Sequence, residues 1–567
     1  MVKISKKIKM IKDIKNFIRD NKLDGYLISK NDTYFTEYSN INNLDKVTNF
    51  SGSAGFSLIL KNINYLFVDG RYTLQAKKQS GKNFKILEIP YIWPKDLPNL
   101  ENLKIGFDPK LFTEKTLEKF FEGKVNLIPS QFNFKNNIKN IYKKIFILSD
   151  SITGESSNSK ITKIKNYLIK NKIDYLYSSA GENVNWLLNI RGEDLPNSPL
   201  VNCKLIISKE GRLYLFICKN KISNFVKKKL KNVTFYKENT LFEVINVFKK
   251  GVFCIDRNTC SIFEKKIIIS KFKIVSDIDP IYDFKSVKNK IEIKNTLKSH
   301  IEDGVALTKF LYWYKFNKLK KTETKIEKKL ESLRKKSKNY LYPSFDTITG
   351  SGPNGSIIHY RSNKQTNRRV KKNDILLIDS GGQYKWGTTD VTRTTCYNKV
   401  SIDIKNNFTR VLKGHIAVYL CDLSRKYNGH LIDKLARKSL QNVGLDYSHG
   451  TGHGVGFFLN VHEGPQAISK FNKVKIKEGM ILSNEPGYYL KNKYGIRIEN
   501  LIYIKKIKNK LFFRNLTYAP IDLDLVNFKL LSNKERNYLF EYHLKVYSRI
   551  SQYLTRKEKK WLLSLIK

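Results

Sequence analysis

The sequence predicts an α/β (α+β) fold built from three successive domains, and three observations carry that prediction. A helix-then-strand order in residues 10–29 recurs near 157–179. A long amphipathic helix starts near Val287. Beyond it, glycine and histidine become frequent among short apolar runs. A chain of 567 residues is too long for one hydrophobic core, and at roughly 150 residues per domain it should form two to four domains. An apolar content of 41% is enough to fill those cores. The expected domains are residues 1–145, 146–286 and 287–567.

The first domain opens with MVKISKKIKMIKDIKNFIRD, where apolar residues alternate with lysines at helical spacing. YLIS (26–29), FSLIL (56–60) and YLFVDGRY (65–72) follow as apolar runs bounded by Gly, Asn and Ser, the pattern of buried strands. In the second domain a polar Ser/Gly/Asn cluster precedes a helix with Ile161, Ile164, Tyr167 and Leu168 on one face. NKIDYLYSS then repeats the earlier NKLDGYLIS, so two similar α/β domains in series are expected. The third domain begins with a helix carrying Ile291, Ile293, Leu297, Ile301, Val305 and Leu307.

Composition excludes several classes. The net charge of +54 is spread evenly along the chain with many Asn and Ile, as a coding bias towards Lys, Asn and Ile produces, and no nucleic-acid-binding motif accompanies it. A specific nucleic-acid partner is therefore not expected. Six scattered cysteines without a CxxC pair fit free thiols in a reducing compartment, and Cys396 in VTRTTC reads as a buried small residue rather than a nucleophile. The N-terminus lacks a signal-peptide core, and no run approaches the ~18 apolar residues of a membrane span, so a cytoplasmic protein without a membrane partner is expected.

The chemistry concentrates in two segments. In DILLIDSGGQYKWGTTDVTRTT, two strand-like runs flank the turn-former GGQYKWG, with Asp379 and Asp390 near-symmetric about it. A hairpin sets these carboxylates side by side, where like charges repel unless a cation compensates them. GMILSNEPGYYLKNKYGIRIENLIYI repeats the design around KNKYG with Glu485 and Glu499, and Arg497 stands two residues from Glu499 on the same strand face, placed to orient a carboxylate. Four acidic residues in runs otherwise suited to burial call for metal ions.

Three of the eight histidines lie in HGTGHGVGFFLNVHEGP. His449 and His453 are four apart, but Gly450, Gly452, Gly454 and Gly456 interrupt the run at about 1 kcal/mol each in a helix, so a loop or strand is expected. A carboxylate-rich set with one or two imidazoles suits Mn(II) or Co(II) better than a thiolate zinc site.

At these residues the sequence resembles the Xaa-Pro aminopeptidases of the creatinase, prolidase and methionine aminopeptidase superfamily. SFDTITGSGPNGSIIHY, IDSGGQY, TTDVTRT, HGTGHGVGFFLNVHEGP, SNEPGYY and GIRIEN follow that family's order. FSGSAGF, DGRYTLQA, WLLNIRG, APIDLDLV and LSNKERNYLFEYH extend the match to the long three-domain cytosolic form. The resemblance implies two creatinase-like N-terminal domains, a C-terminal pita-bread catalytic domain, and two divalent metal ions, usually manganese. By motif, Asp379 would bind one ion with both oxygens, and Asp390 and Glu499 would bridge the pair. His453 would bind the other ion, with Glu485 sharing it. His359, His449 and His462 would line the cleft and serve catalysis, whereas His300, His415, His430 and His543 fall outside the motifs and read as structural.

The implied reaction is hydrolysis of the bond before a penultimate proline by a water held between the ions. His449 or His462 would support the oxyanion, and Glu485 would pass a proton to the prolyl nitrogen. Peptides with a penultimate proline are the expected partners, and the family often forms homodimers. The rival readings are prolidase, metal-free creatinase and a non-enzymatic peptidase-like binding module. The intact ligand set counts against the last two.

Overall fold

The repeated tetrapeptides NKLD (21–24) and NKID (171–174) fold into the same object. A computed structural model describes residues 2–39, 41–134, 143–317 and 321–566; Met1 and Lys567, the outer bounds of the expected first and third domains, lie outside the described residues. Helices Val2–Asp20 and Ser157–Lys170 bury Ile14 and Ile18, and Ile161, Ile164 and Leu168, at helical spacing. Each helix is followed by a lysine in the left-handed region, Lys22 at φ 52° and Lys172 at φ 55°. The next N–H closes back on the helix, Leu23 to Ile18 O and Ile173 to Leu168 O, both at 2.9 Å.

The aspartate that ends each tetrapeptide makes the same contacts in both copies. Asp24 Oδ2 accepts from Lys104 N–H at 2.9 Å, and Asp174 Oδ2 from Val252 N–H at 2.8 Å. Lys61 and Lys209, each just past the second strand, meet the other carboxylate oxygen at 2.7 Å.

Two six-stranded sheets grow from these starts. The strands Gly25–Ser29, Phe56–Leu60, Asn64–Asp69, Lys85–Ile89, Lys104–Phe107 and Asn126–Pro129 lie in the order fourth, third, second, first, fifth, sixth. Tyr175–Ser178, Cys203–Ser208, Leu213–Ile217, Val233–Tyr236, Val252–Asp256 and Lys273–Asp277 lie in that same order. The senses also agree, with the first strand antiparallel to the second and parallel to the fifth in each sheet. Both sheets belong to one compact unit, Met1–Asp150 with Glu155–Tyr282; the second unit comprises Ser151–Gly154 and Asp283–Lys567.

The second unit opens with the helix Lys290–Phe316, capped by Asn289 and Glu292. Its predicted stripe is only half-buried at Ile291, Ile293, Leu297, Ile301 and Val305. The fully buried face carries Thr296, Ser299, His300, Asp303 and Gly304 as well as Leu307, because the helix is packed on more than one side. Helices Ile402–Tyr419 and Gly429–Gln441 pack together through Gly414, where a Cβ would stand 2.2 Å from Ala436 O. Phe408, Val411, Leu412, Ile416 and Leu440 join Ile496, Ile498 and Leu539 in a core on one side of the strands.

Three sheets and a hairpin complete the unit. One sheet is Ile348–Ser351, Leu376–Ser380 and Val391–Thr395; another has five strands, including Gly452–Gly454, Ile481–Asn484 and Asn500–Ile507. The segment GGQYKWG is more than a turn. Gly382–Tyr384 pairs with Gly387–Thr388 and with Tyr340–Pro343 in a third sheet. The six cysteines are free, and Cys396, just past the strand Val391–Thr395, is buried. No helix among the described residues is long and apolar enough to cross a membrane.

The hydrogen-bonded lysines hold the carboxyls of Asp24 and Asp174 below their ordinary range. Depressed folded values stabilise the fold fully above about pH 4, and the contribution is lost as pH falls through them. Asp174→Ala should therefore cost about 0.5–1 kcal/mol at neutral pH, the pair being screened by solvent, and less below about pH 3, read from urea midpoints. An equal cost at both pH values would contradict this.

Candidate metal centre

Two hairpins bring four carboxylates together, with different geometry in each. Leu376–Ser380 runs antiparallel to Val391–Thr395 with Asp379 opposite Thr392, so Asp390 lies diagonal to Asp379 on the same face rather than directly across. In the second hairpin, Ile481–Asn484 pairs with Asn500–Ile507 and Gly487–Leu490 with Tyr494–Arg497 in one continuous register. Glu485 and Glu499 sit opposite each other in the gap between these ladders. There the Glu485 N–H turns to Thr451 O at 2.8 Å and the Glu499 N–H to Thr392 O at 3.1 Å. This exchange ties both hairpins and the histidine loop into one site.

The loop is extended where glycine makes it so. Gly452–Gly454 is a short strand, and a Cβ on Gly452 would stand 2.0 Å from Ser483 O. That close approach places His453 Nε2 3.5 Å from both Asp390 Oδ2 and Glu485 Oε1. His453 Nδ1 lies 2.9 Å from Gly454 O. A carbonyl oxygen only accepts, so Nδ1 carries the proton of the neutral ring and Nε2 presents a lone pair to the carboxylates.

Asp390, His453 and Glu499 each offer a ligand atom within 4.8 Å of the other two. Asp379 Oδ1, Asp390 Oδ1 and Glu499 Oε1 are buried without a hydrogen-bond partner. Burial, then the Asp379 and Glu485 charges, push the Asp390 carboxyl well above its ordinary range. Burial, then Asp390, Glu485 and Asp379, do the same to Glu499. Crowded, unpartnered acidic oxygens beside a bare imidazole nitrogen are what hard divalent cations fit.

Arg497, which the sequence placed to orient a carboxylate, and several residues that the sequence did not mark hold this cluster. Arg497 donates to Asp379 Oδ2 at 2.6 Å, to Tyr489 OH at 2.6 Å and to Thr392 Oγ1 at 3.1 Å. The Thr392 hydroxyl donates to Glu499 Oε2 at 2.8 Å, and that of Ser483 to Glu485 Oε1 at 2.9 Å. From the opposite face, the buried Arg393 binds the carbonyls of Thr392, Glu499 and Ala519. The alternation in TTDVTRTT could have revealed Thr392, which shares a strand face with Asp390, whereas Arg393 faces away.

Of the other predicted histidines, His462 stands against His453, and His449 is linked to Asp379 through Tyr489 and Arg497. The His462 ring lies 4.3 Å from that of His453, edge to face. His449 Nδ1 lies 2.7 Å from Gly450 O and Nε2 lies 2.9 Å from Tyr489 OH, so Tyr489 donates to His449 while accepting from Arg497. His359 is half-buried in the segment after Ile348–Ser351, the strand whose Ile348 pairs with Asp379. Burial pulls His415 down to about 3 and His543 to about 4, leaving both neutral; His415 Nδ1 donates to Asn484 O at 3.1 Å. His300 and His430 bind the carbonyls of Thr296 and Lys470 through Nδ1.

Residues 295–506 match metallopeptidase family M24, and the whole chain is 34% identical to Xaa-Pro aminopeptidase 1 of Dictyostelium discoideum, covering 97% of that protein. The chain belongs to metallopeptidase family M24. Residues 10–131 and 138–292 each match a creatinase/prolidase N-terminal domain, and 509–566 match the C-terminal region of the peptidase family. A probable Xaa-Pro aminopeptidase P of Laccaria bicolor is 33% identical over 95% of this chain and 90% of its own. The crystal structure of X-prolyl aminopeptidase from Caenorhabditis elegans, described as a cytosolic enzyme with a di-nuclear active site, superposes with a TM-score of 0.92. It is 28% identical and 99% of each chain is covered. A prolidase from Thermococcus sibiricus, 26% identical with a TM-score of 0.52, matches 65% of this chain and 99% of its own.

The raised carboxyls of Asp390 and Glu499 bind more protons folded than unfolded, so the metal-free chain should lose stability as pH rises above about 4. Divalent cations should reverse the loss. Urea midpoints of chelator-stripped protein between pH 5 and 8, with and without Mn(II), check this; a midpoint that rises with pH without metal would contradict it.

Proposed function

We propose that the chain is a metal-dependent aminopeptidase that hydrolyses the bond between a peptide's first residue and a penultimate proline. The observation that carries this reading is the convergence of Asp379, Asp390, His453, Glu485 and Glu499, with buried oxygens lacking hydrogen-bond partners and a bare imidazole nitrogen. Full-length similarity to Xaa-Pro aminopeptidases supports it over prolidase; the Thermococcus sibiricus prolidase aligns with 65% of this chain. These five residues would hold two divalent ions, manganese by the family resemblance. Bound ions supply Lewis acidity and lower the pKa of a water that attacks the scissile carbonyl.

The remaining roles belong to the side chains. Glu485, oriented by the Ser483 hydroxyl, moves the proton to the departing prolyl nitrogen. His359, His449 and His462 line the cleft, bind the substrate and support the charge that builds on the carbonyl oxygen. Arg497 holds Asp379 at one end and, through Tyr489, His449 at the other, so one cation sets the spacing between metal ligand and substrate histidine. A prolyl amide offers no N–H, so the cleft selects the pyrrolidine ring and not a hydrogen-bond donor. We further propose a cytoplasmic, homodimeric enzyme with domains at 1–145, 146–286 and 287–567.

The purified protein, assayed with and without added manganese, should cleave Arg-Pro-Pro and leave an Arg-Ala peptide intact. Cleavage of an Xaa-Pro dipeptide alone would replace this reading with prolidase. Absence of any metal-dependent cleavage would favour a binding module. His453→Ala should lose bound metal by elemental analysis, whereas His449→Ala and His462→Ala should keep it and turn over about 100-fold more slowly.

A further inference from the structure

The helix Gly429–Gln441 sends two buried side chains, one turn apart, into the histidine loop. Asp433 is 1% exposed and Arg437 7%. Arg437 Nε donates to Asp433 Oδ2 at 2.7 Å, Nη1 donates to Asp446 Oδ1 at 2.8 Å and to Tyr447 O at 2.7 Å, and Nη2 donates to His449 O at 2.6 Å. The same guanidinium lies 3.9 Å from the centre of the Tyr447 ring. The other Asp433 oxygen accepts from the Thr451 hydroxyl at 2.6 Å, and Thr451 O receives the Glu485 N–H at 2.8 Å.

This arrangement meets a need created by the loop's composition. Gly450, Gly452, Gly454 and Gly456 let the backbone reach the cluster, but they bring no side chains to fix where it stops. We infer that the buried Asp433–Arg437 pair is a positioning device for the reaction proposed above: it sets the backbone of His449 and, through Thr451, that of Glu485. A planar guanidinium is suited to the task because its N–H groups diverge at fixed angles, so two carbonyls bound to one fork keep a fixed spacing. Asp433 and Asp446 balance the buried charge and aim the fork. A lysine supplies the charge without the fork.

The inference rests on the proposed function for its kinetic and metal-content arms only. Arg437→Lys should retain both metals by elemental analysis. Its kcat on Arg-Pro-Pro should fall about 10–100-fold, with KM changing by less than about threefold. Amide hydrogen exchange of residues 446–453, followed by mass spectrometry on the full chain, should accelerate while exchange elsewhere is unchanged. Arg437→Ala should show a larger loss that millimolar guanidinium partly restores, a response that a merely structural role would not give. Arg437→Lys with kcat within about twofold of wild type and unchanged exchange would overturn the inference, as would a loss that follows metal content or folded fraction. Exchange is read without substrate, so an inactive wild type would refute the proposed function and leave the positioning device to be judged on exchange.

Discussion

Mutual repulsion among Asp379, Asp390, Glu485 and Glu499 is the constraint from which the arrangement of the catalytic unit follows. Buried carboxylates this close cannot all ionise in a medium of low dielectric without a compensating charge. Arg497 supplies part of it, through Asp379 at 2.6 Å, and leaves three acidic oxygens without a hydrogen-bond partner. The site is therefore incomplete as a set of side chains, and in the function proposed above cations complete it. The hydroxyls of Thr392 and Ser483 take up one oxygen each of Glu499 and Glu485, which fixes the direction in which the remaining oxygens point.

Holding such a site demands rigidity from elements around it. The second hairpin supplies it by breaking its own ladder at the acidic residues: Glu485 and Glu499 give their backbone N–H groups to Thr451 and Thr392. It is thereby tied to the histidine loop and to the first hairpin and not only to itself. The histidine loop has the opposite problem, since its glycines permit a close approach but do not specify it. Arg437 and Asp433 from the helix behind provide that specification, and Arg393 does the same for the strand backbones from the face turned to the core.

Much of this was legible in the sequence wherever the signal was local. NKLD and NKID announced a repeat because helix ending, left-handed lysine and strand-capping aspartate are all encoded within four residues. The near-symmetry of Glu485 and Glu499 about KNKYG predicted partners across a hairpin, and they stand opposite each other in one register; the glycines of HGTGHG predicted a loop or strand, and Gly452–Gly454 is a short strand. Asp379 and Asp390 were expected side by side and stand on one face as diagonal neighbours, because both ladders of that hairpin share one register centred between Lys385 and Trp386, past the midpoint of the two aspartates. The long helix was read as having one apolar stripe, whereas neighbours distant in sequence bury its polar face as well. Arg393 and Arg437 were not found at all. Their partners lie on other elements, and no periodicity marks an arginine that binds remote carbonyls.

In the function proposed above, the carboxylate cluster is a cation site whose charges balance only when it is filled. Titration calorimetry of the metal-free chain with Mn(II), repeated in buffers of different ionisation enthalpy, measures ion stoichiometry and proton release together. The chain should bind two ions and release protons from the Asp390 and Glu499 carboxyls as it does so, and Glu499→Gln should lose that release. Binding of no ion, or binding without proton release that Glu499→Gln leaves unchanged, would contradict it.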